Sequence, residues 1–238
     1  MRQLLLALLA MVAFALPARA GDYAALSIIG FSADGAYFAF EEYGIQDGSG
    51  FPYSAIYIVE TATDTWLEGS PYSVRLDSEG ALLADARNQA LGLAANTLNS
   101  LAIFLPGAAL VSNPLTEIVP NPHVQDFYTT LFTPLQDTHF RLEVTEQPLA
   151  AADCPDFGDT YVGYALTLTD PAGASRDLHR DEQIPGSRNC PIGYGISDVI
   201  LFDNGRDVPV LMVMLNLWQV GFEGPNRRFL AVAATLPR

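Results

Sequence analysis

Between Leu26 and Thr61 the chain runs in short apolar stretches broken by glycine: "ALSIIGF", Ser32-Ala33-Asp34-Gly35, "AYFAFEEY", a Gly-rich loop, and "AIYIVET". An Asp-Gly pair between apolar runs signals a hairpin, because glycine accepts the positive φ of a tight turn. The first three strands are therefore predicted to be antiparallel. Over residues 77–105 the period changes: Leu83, Ala86, Ala90, Ala94, Leu98 and Leu101 recur every three or four positions, Asp77 or Ser78 is placed to cap, and Pro106-Gly107 stops the run. That pattern predicts one amphipathic helix with a small alanine face suited to close packing on a sheet. Gly92 inside it weakens helix propensity by about 1 kcal/mol relative to alanine.

Prolines 114, 120, 122 and 134 mark a connecting segment with at most short strands. Strand signals resume at Phe140–Thr145 and Tyr161–Thr169. The last third then echoes the first: "ISDVILF", Asp203-Asn204-Gly205, "VPVLMVMLNLWQ", the loop "VGFEGPNRR", and "FLAVAAT". The spacing from Gly35 to Phe51 nearly equals that from Gly205 to Phe222, and the central strand pair reads as a degenerate third copy. The expected fold is mainly β, with antiparallel strand repeats forming an incomplete propeller-like set or a sandwich and one α-helical insertion.

The first twenty residues set the expected compartment. Arg2, the apolar run Leu4–Leu16 and the small residues of Pro17-Ala18-Arg19-Ala20 describe a secretory signal peptide cut before Gly21. The run is too short to span a bilayer, which takes about 20 apolar residues. Residues 21–238 are then expected to form one secreted β-rich domain, periplasmic or released, with no membrane span after cleavage. The formal charge would move from −15 to −17, since Arg2 and Arg19 leave and no acid does. Lysine is missing from the chain altogether, so neither a Schiff-base amine nor a phosphate-loop lysine is available. A field of this sign repels nucleic acid and favours basic partner surfaces. Cys154 and Cys190, the two cysteines, are expected to form one disulfide in an oxidising compartment.

Phe31-Ser32-Ala33-Asp34-Gly35, followed by Tyr37–Phe40 and Ile56–Val59, resembles one blade of the periplasmic Tol-type and WD-like propellers. A wider resemblance rests on "FAFEEYGIQDGSGFPYS" and "GFEGPNRRFLAV", which look like a bacterial family of predicted secreted proteins of unknown function. That resemblance implies export and supplies no catalytic residues.

Two loops carry the candidate chemistry. Glu41 and Glu42 are adjacent on a strand, so alternation sends them to opposite faces. Glu42 shares its face with Phe38 and Phe40, a setting that raises a carboxyl pKa, although a strand end at the solvated rim is the expected position. Tyr43 and Asp47 continue into a loop able to close over a small ligand. In Gly221–Arg228, Arg227 and Arg228 beside Glu223 are suited to gripping a carboxylate, either a ligand's or the protein's own. A pairing of Glu41 or Glu42 with Arg227 or Arg228 would latch the two ends of the chain together. Asp153, Asp156 and Asp159 do not follow a calcium-loop spacing, and His123, His139 and His179 are scattered, so no metal or cofactor is assigned. Nucleophile motifs such as Gly-x-Ser-x-Gly are missing. The expected role is a non-catalytic binding module with an envelope protein partner. The alternative is a carboxylate-based hydrolase acting on cell-envelope material, with Glu42 or Asp47 as its acid.

Overall fold

The computed structural model describes residues 21–119, 121–129, 139–151, 153–155 and 160–236. The hairpin signals at the start give β1 (Ala25–Phe31), β2 (Tyr37–Ile45) and β3 (Pro52–Glu60), paired antiparallel, with the short β4 (Thr65–Trp66) and β5 (Tyr72–Arg75) both on β3. Gly30 carries a bulge in β1: its φ is +137°, and a Cβ there would lie 2.7 Å from the Leu105 carbonyl oxygen. Only glycine permits that approach, which lets the Phe31 N–H donate to the Leu105 carbonyl at 2.8 Å.

Helix α1 (Leu83–Ser100) is shorter at both ends than the expected 77–105 span. Its N-cap is Leu82, without a side-chain cap, and not Asp77 or Ser78. Gly80, at φ +80°, and the Ala81 N–H to Ser78 carbonyl bond turn the chain before the helix starts. At the other end Ala102 takes φ +51°, its N–H donates to the Asn99 carbonyl, and the Ile103 N–H donates to the Leu98 carbonyl. This Schellman arrangement ends the helix ahead of Pro106. Gly92 is exposed and the helix runs through it. Ala86, Ala90, Ala94 and Leu98 form the buried face, and the last three pack with Ala39, Ile56 and Ile58 of the N-terminal sheet.

After α1, β6 (Ala108–Ser112) pairs with β11 (Pro191–Phe202). The C-terminal sheet is completed by β12 (Val210–Gln219) and β13 (Asn226–Thr235), in the order β13-β12-β11-β6. The central strand pair belongs to a third antiparallel sheet, β7 (Val124–Tyr128), β8 (His139–Pro148), β9 (Val162–Thr169) and β10 (Ser175–Arg180). The turn between β9 and β10 is Asp170–Gly173: the Asp170 carboxylate accepts the Ala172 and Ala174 N–H groups, and Gly173 sits at φ +84°. Its aspartate and glycine are separated by Pro171 and Ala172, so the Asx-Gly signal does not appear in sequence.

The C-terminal sheet is the middle layer. Val210, Met212 and Met214 of β12 pack with Phe31, Phe38 and Phe40 of the N-terminal sheet. The alternate residues Leu211, Val213, Leu215 and Leu217 pack with Leu142, Val144 and Leu166 of the middle-segment sheet. Burial on both faces explains the continuous apolar run of β12, and each such side chain contributes about 1.5–3 kcal/mol. Arg141, Glu143 and Thr145 on the far side of β8 face solvent. The layers therefore run helix, N-terminal sheet, C-terminal sheet, middle-segment sheet, as an open stack with no closed barrel among the described residues. Cys154 and Cys190 are joined as a disulfide, Cα to Cα 5.6 Å.

Candidate functional site

Alternation along β2 sends its two glutamates to different layers. Glu41 faces α1, where Arg87 Nε and Nη2 donate to its two oxygens at 2.9 and 2.7 Å and Ser54 Oγ donates at 2.9 Å. The Arg87 guanidinium also lies 3.8 Å from the centre of the Tyr43 ring. Glu42 faces the C-terminal sheet. Its Oε2 accepts the Phe229 N–H at 2.8 Å, and its Oε1 is 3.4 Å from Arg228 Nε. Neither carboxylate lies at a solvated rim: Glu41 is 2% and Glu42 4% exposed. The expected rim position fails because β13 covers one face of β2 and α1 the other.

Arg228 is held mainly by Asp22. Its Nη2 donates to Asp22 Oδ2 at 2.6 Å and its Nη1 to the Asp22 carbonyl at 2.9 Å. Tyr53 Oη donates to Asp22 Oδ1 at 2.7 Å, and the Asp22 N–H donates to Asn226 Oδ1 at 3.0 Å. Because Arg228 is committed to Asp22, it offsets only part of the cost of burying Glu42. Burial pushes the Glu42 pKa up to about 7, against the opposing pull of Arg228 and the Phe229 N–H.

Arg227 does not join the expected latch. It is 8% exposed, its guanidinium donates to the Ala24 carbonyl and to Asn216 Oδ1, and its Nε has no hydrogen-bond partner among the described residues. Burial pushes its pKa down. Asp47 lies in the Gln46–Gly50 turn and Glu223 is exposed in the β12–β13 loop, and among the described residues neither forms an ion pair with Arg228. Asp156 and Asp159 fall outside the described residues, among which no group of three His, Cys, Asp or Glu side chains forms a metal site.

The outer edge of β13 is capped at four positions, Arg227, Phe229, Ala233 and Thr235. Asp22–Ala24 pair with it at Arg227, Glu42 takes the Phe229 N–H, Asp64 takes the Ala233 N–H at 2.7 Å, and Arg176 donates to the Thr235 carbonyl. Covering an edge with carboxylates and a docked segment blocks strand addition. Two cavities flank the Glu42–Arg228 pair. One, of ≈ 300 Å³, opens toward Trp66, Asn189, Gln219 and Asn226, and the other, of ≈ 310 Å³, toward Asp22, Tyr53, Ser73 and Arg75. Glu42, Tyr57 and Arg228 border both.

A second polar cluster escaped the sequence reading. Asp181, on the segment after β10, accepts Arg188 Nη1 at 2.5 Å and the Tyr164 N–H at 2.9 Å, with His179 Nε2 2.8 Å from its other oxygen. Burial opposes ionisation of Asp181, yet the bonds from His179, Tyr164 and Arg188 outweigh it and hold its carboxyl below the usual range. The histidines are scattered in sequence but each meets a carboxylate in space: His123 with Glu146, His139 with Asp126 and His179 with Asp181. Such pairings depend on strand register, which a single sequence leaves open.

No described helix is long and apolar enough to cross a membrane. Among curated proteins, none matches this chain. A family model does match, over residues 39–235, a span that includes both Glu42 and Arg228. The chain belongs to that family, the predicted secreted proteins of DUF2259.

Proposed function

We propose that this protein is an exported, non-catalytic binding module that acts in the periplasm, with residues 1–20 as its secretory signal and residues 21–238 as one binding domain. The binding face is the cleft between β2–β3 and the start of β13, and its partner is a component of the cell envelope, most simply an envelope protein. One observation carries this reading. The arginines bordering the cleft are held by the protein's own carboxylates, Arg228 by Asp22 and Glu42 and Arg75 by Asp77, while the cavity walls are otherwise largely aromatic rings, amides and hydroxyls. Paired charges hold a shape, and a mixed apolar and neutral-polar concavity is what a binding site offers. A carboxylate hydrolase needs a second carboxylate free to act opposite Glu42. Asp22 has both carboxylate oxygens engaged, by Tyr53 and Arg228.

The test is retention of envelope components on the oxidised, exported protein, compared with a Trp66→Ala variant that changes the cleft wall without touching the buried charges. A component retained by the wild type and lost by the folded variant supports the module. Equal retention by both removes this cleft as the binding face. Export itself is checked by fractionation and by the N-terminal residue of the processed chain, expected to be Gly21.

A further inference from the structure

We propose that the cavity of ≈ 300 Å³ between Trp66 and Asn189 is a saccharide site, taking one neutral sugar ring of an envelope or environmental glycan. The proposal rests on the binding-module reading above and specifies its ligand. A sugar ring presents an apolar C–H face and a rim of hydroxyls that both donate and accept. Its site therefore needs an aromatic wall opposite neutral hydrogen-bonding groups.

The aromatic wall is Trp66 on β4, 46% exposed, set edge-on to Tyr57 at 5.2 Å between ring centres. Tyr57 is in turn stacked on buried Phe40 at 4.9 Å, so the wall is anchored in the core. The polar wall has bonding capacity left over. Gln219 donates its Nε2 to the Arg188 carbonyl and keeps its Oε1, and Asn226 accepts from the Asp22 N–H and keeps its Nδ2. Ser187, Asn189 and Tyr57 also line the cavity, and their side-chain oxygens and nitrogens form no hydrogen bonds among the described residues. Uncharged acceptors and donors thus line most of a concavity at the lower end of ligand-site volumes, with the mutually paired Glu42 and Arg228 at its border.

Asn189 gives an independent pointer. Its backbone sits at φ +51°, ψ −125°, a conformation that L-residues rarely adopt. It is pinned between buried Arg188 and the disulfide at Cys190. Strain of this kind persists where surrounding structure over-determines it, and it gathers at ligand clamps.

Charge and edge chemistry argue against an anionic ligand and an extended peptide. An anion would have to displace Asp22 or Glu42 from Arg228 and enter a chain of formal charge −15. An extended peptide would recruit the β13 edge, where the Phe229 and Ala233 N–H groups already bond Glu42 and Asp64. A neutral polyol ring needs neither.

The experiment is calorimetric titration of the full chain, exported and oxidised, with glucose, galactose, N-acetylglucosamine and the trisaccharides maltotriose, cellotriose and chitotriose. Wild type, Trp66→Ala and Asn189→Gly are compared. Saturable binding of at least one sugar is expected, weakened about tenfold or more by Trp66→Ala, as for a central aromatic anchor. Asn189→Gly separates a ligand clamp from a structural residue, because glycine accepts the positive φ. It should hold or raise Tm while lowering affinity at least about threefold, a loss of the size one hydrogen bond contributes. Sugar binding unchanged in both variants would overturn the site. If no sugar binds the folded wild type, the saccharide assignment fails; an envelope protein then retained by wild type and lost by Trp66→Ala would leave the module reading standing. Neither sugar nor retained component would overturn both.

Discussion

Asp22 and Arg228 lie 206 positions apart in sequence and meet at 2.6 Å between Oδ2 and Nη2. The contact joins the two ends of the described chain. Around it the Ala24 N–H donates to the Arg227 carbonyl and the Arg227 N–H to the Asp22 carbonyl, so the N-terminal segment adds a parallel bridge to the edge of β13. Asp22 also fixes Tyr53 of β3, which ties the N-terminal and C-terminal sheets together on one border of the cleft. Of the expected pairings of Glu41 or Glu42 with Arg227 or Arg228, Glu42 lies 3.4 Å from Arg228, whose shorter contact is with Asp22, a residue outside that expectation.

Asp22→Asn keeps the shape and removes the charge. Breaking a buried ion pair costs about 3–5 kcal/mol, and partial exposure of Arg228 together with its second partner Glu42 reduces that to about 2–3 kcal/mol. In a chain of this size the expected fall in Tm is about 5–10 °C. A double-mutant cycle with Arg228→Gln checks the origin of the loss. Coupling near zero would show that the two side chains act independently.

Glu42 sets a pH dependence. Its folded pKa, near 7, lies above the ordinary 4.5, so between those values the folded chain holds a proton that the unfolded chain has lost. The stability this contributes is fully present below about pH 4.5 and is lost as pH rises through 7, a difference of about 3 kcal/mol. Glu42→Gln, neutral at every pH, should lack that fall. Urea midpoints from pH 4.5 to 8.5 should therefore diverge, with the variant gaining on the wild type as pH rises. Parallel curves would mean that Glu42 ionises normally in the folded state.

Much of this architecture is written in local pattern, and the site is not. The Asp-Gly turn announced β1–β2, the three- and four-residue period announced α1, and alternation correctly separated Glu41 from Glu42. Burial of those glutamates was not legible, since it depends on β13 and α1 packing over them from distant parts of the chain. Strand β10 was missed because Arg176, Asp177 and Arg180 give it the composition of a loop, although pairing with β9 fixes it. Asp22, Arg87 and Arg188 were overlooked for a related reason: each acts through a partner whose position follows from sheet order or register.

The disulfide should matter to the cavity as well as to the fold. Cys154 and Cys190 close a loop of sequence separation 36, for which chain entropy gives about 3–4 kcal/mol of stabilisation. Cys190 directly follows Asn189, and its carbonyl accepts the Val220 N–H at 3.0 Å beside the same cavity. A Cys154→Ser, Cys190→Ser variant is expected to lower Tm and also to weaken sugar binding at temperatures where it is still folded. Normal affinity in the folded, disulfide-free protein would show that Asn189 is positioned without the bridge.

Neighbouring arginines on β13 should respond to the same substitution with losses of very different size. Arg228→Met strands Asp22 and leaves buried Glu42 without its cation, and about 3 kcal/mol of stability should be lost. Among the described residues Arg227 forms no ion pair and its Nε has no hydrogen-bond partner, and burial pushes its pKa down. Arg227→Met gives up bonds to the Ala24 carbonyl and Asn216 but also removes a cation whose burial outweighs the pull of Glu42 and the other groups around it. These effects oppose each other, so the net change should stay within about 1 kcal/mol. Chemical denaturation of the two variants decides the matter. A large loss for Arg227→Met would assign the N-terminal segment's anchorage to that guanidinium and demote the Asp22–Arg228 pair to a minor contact.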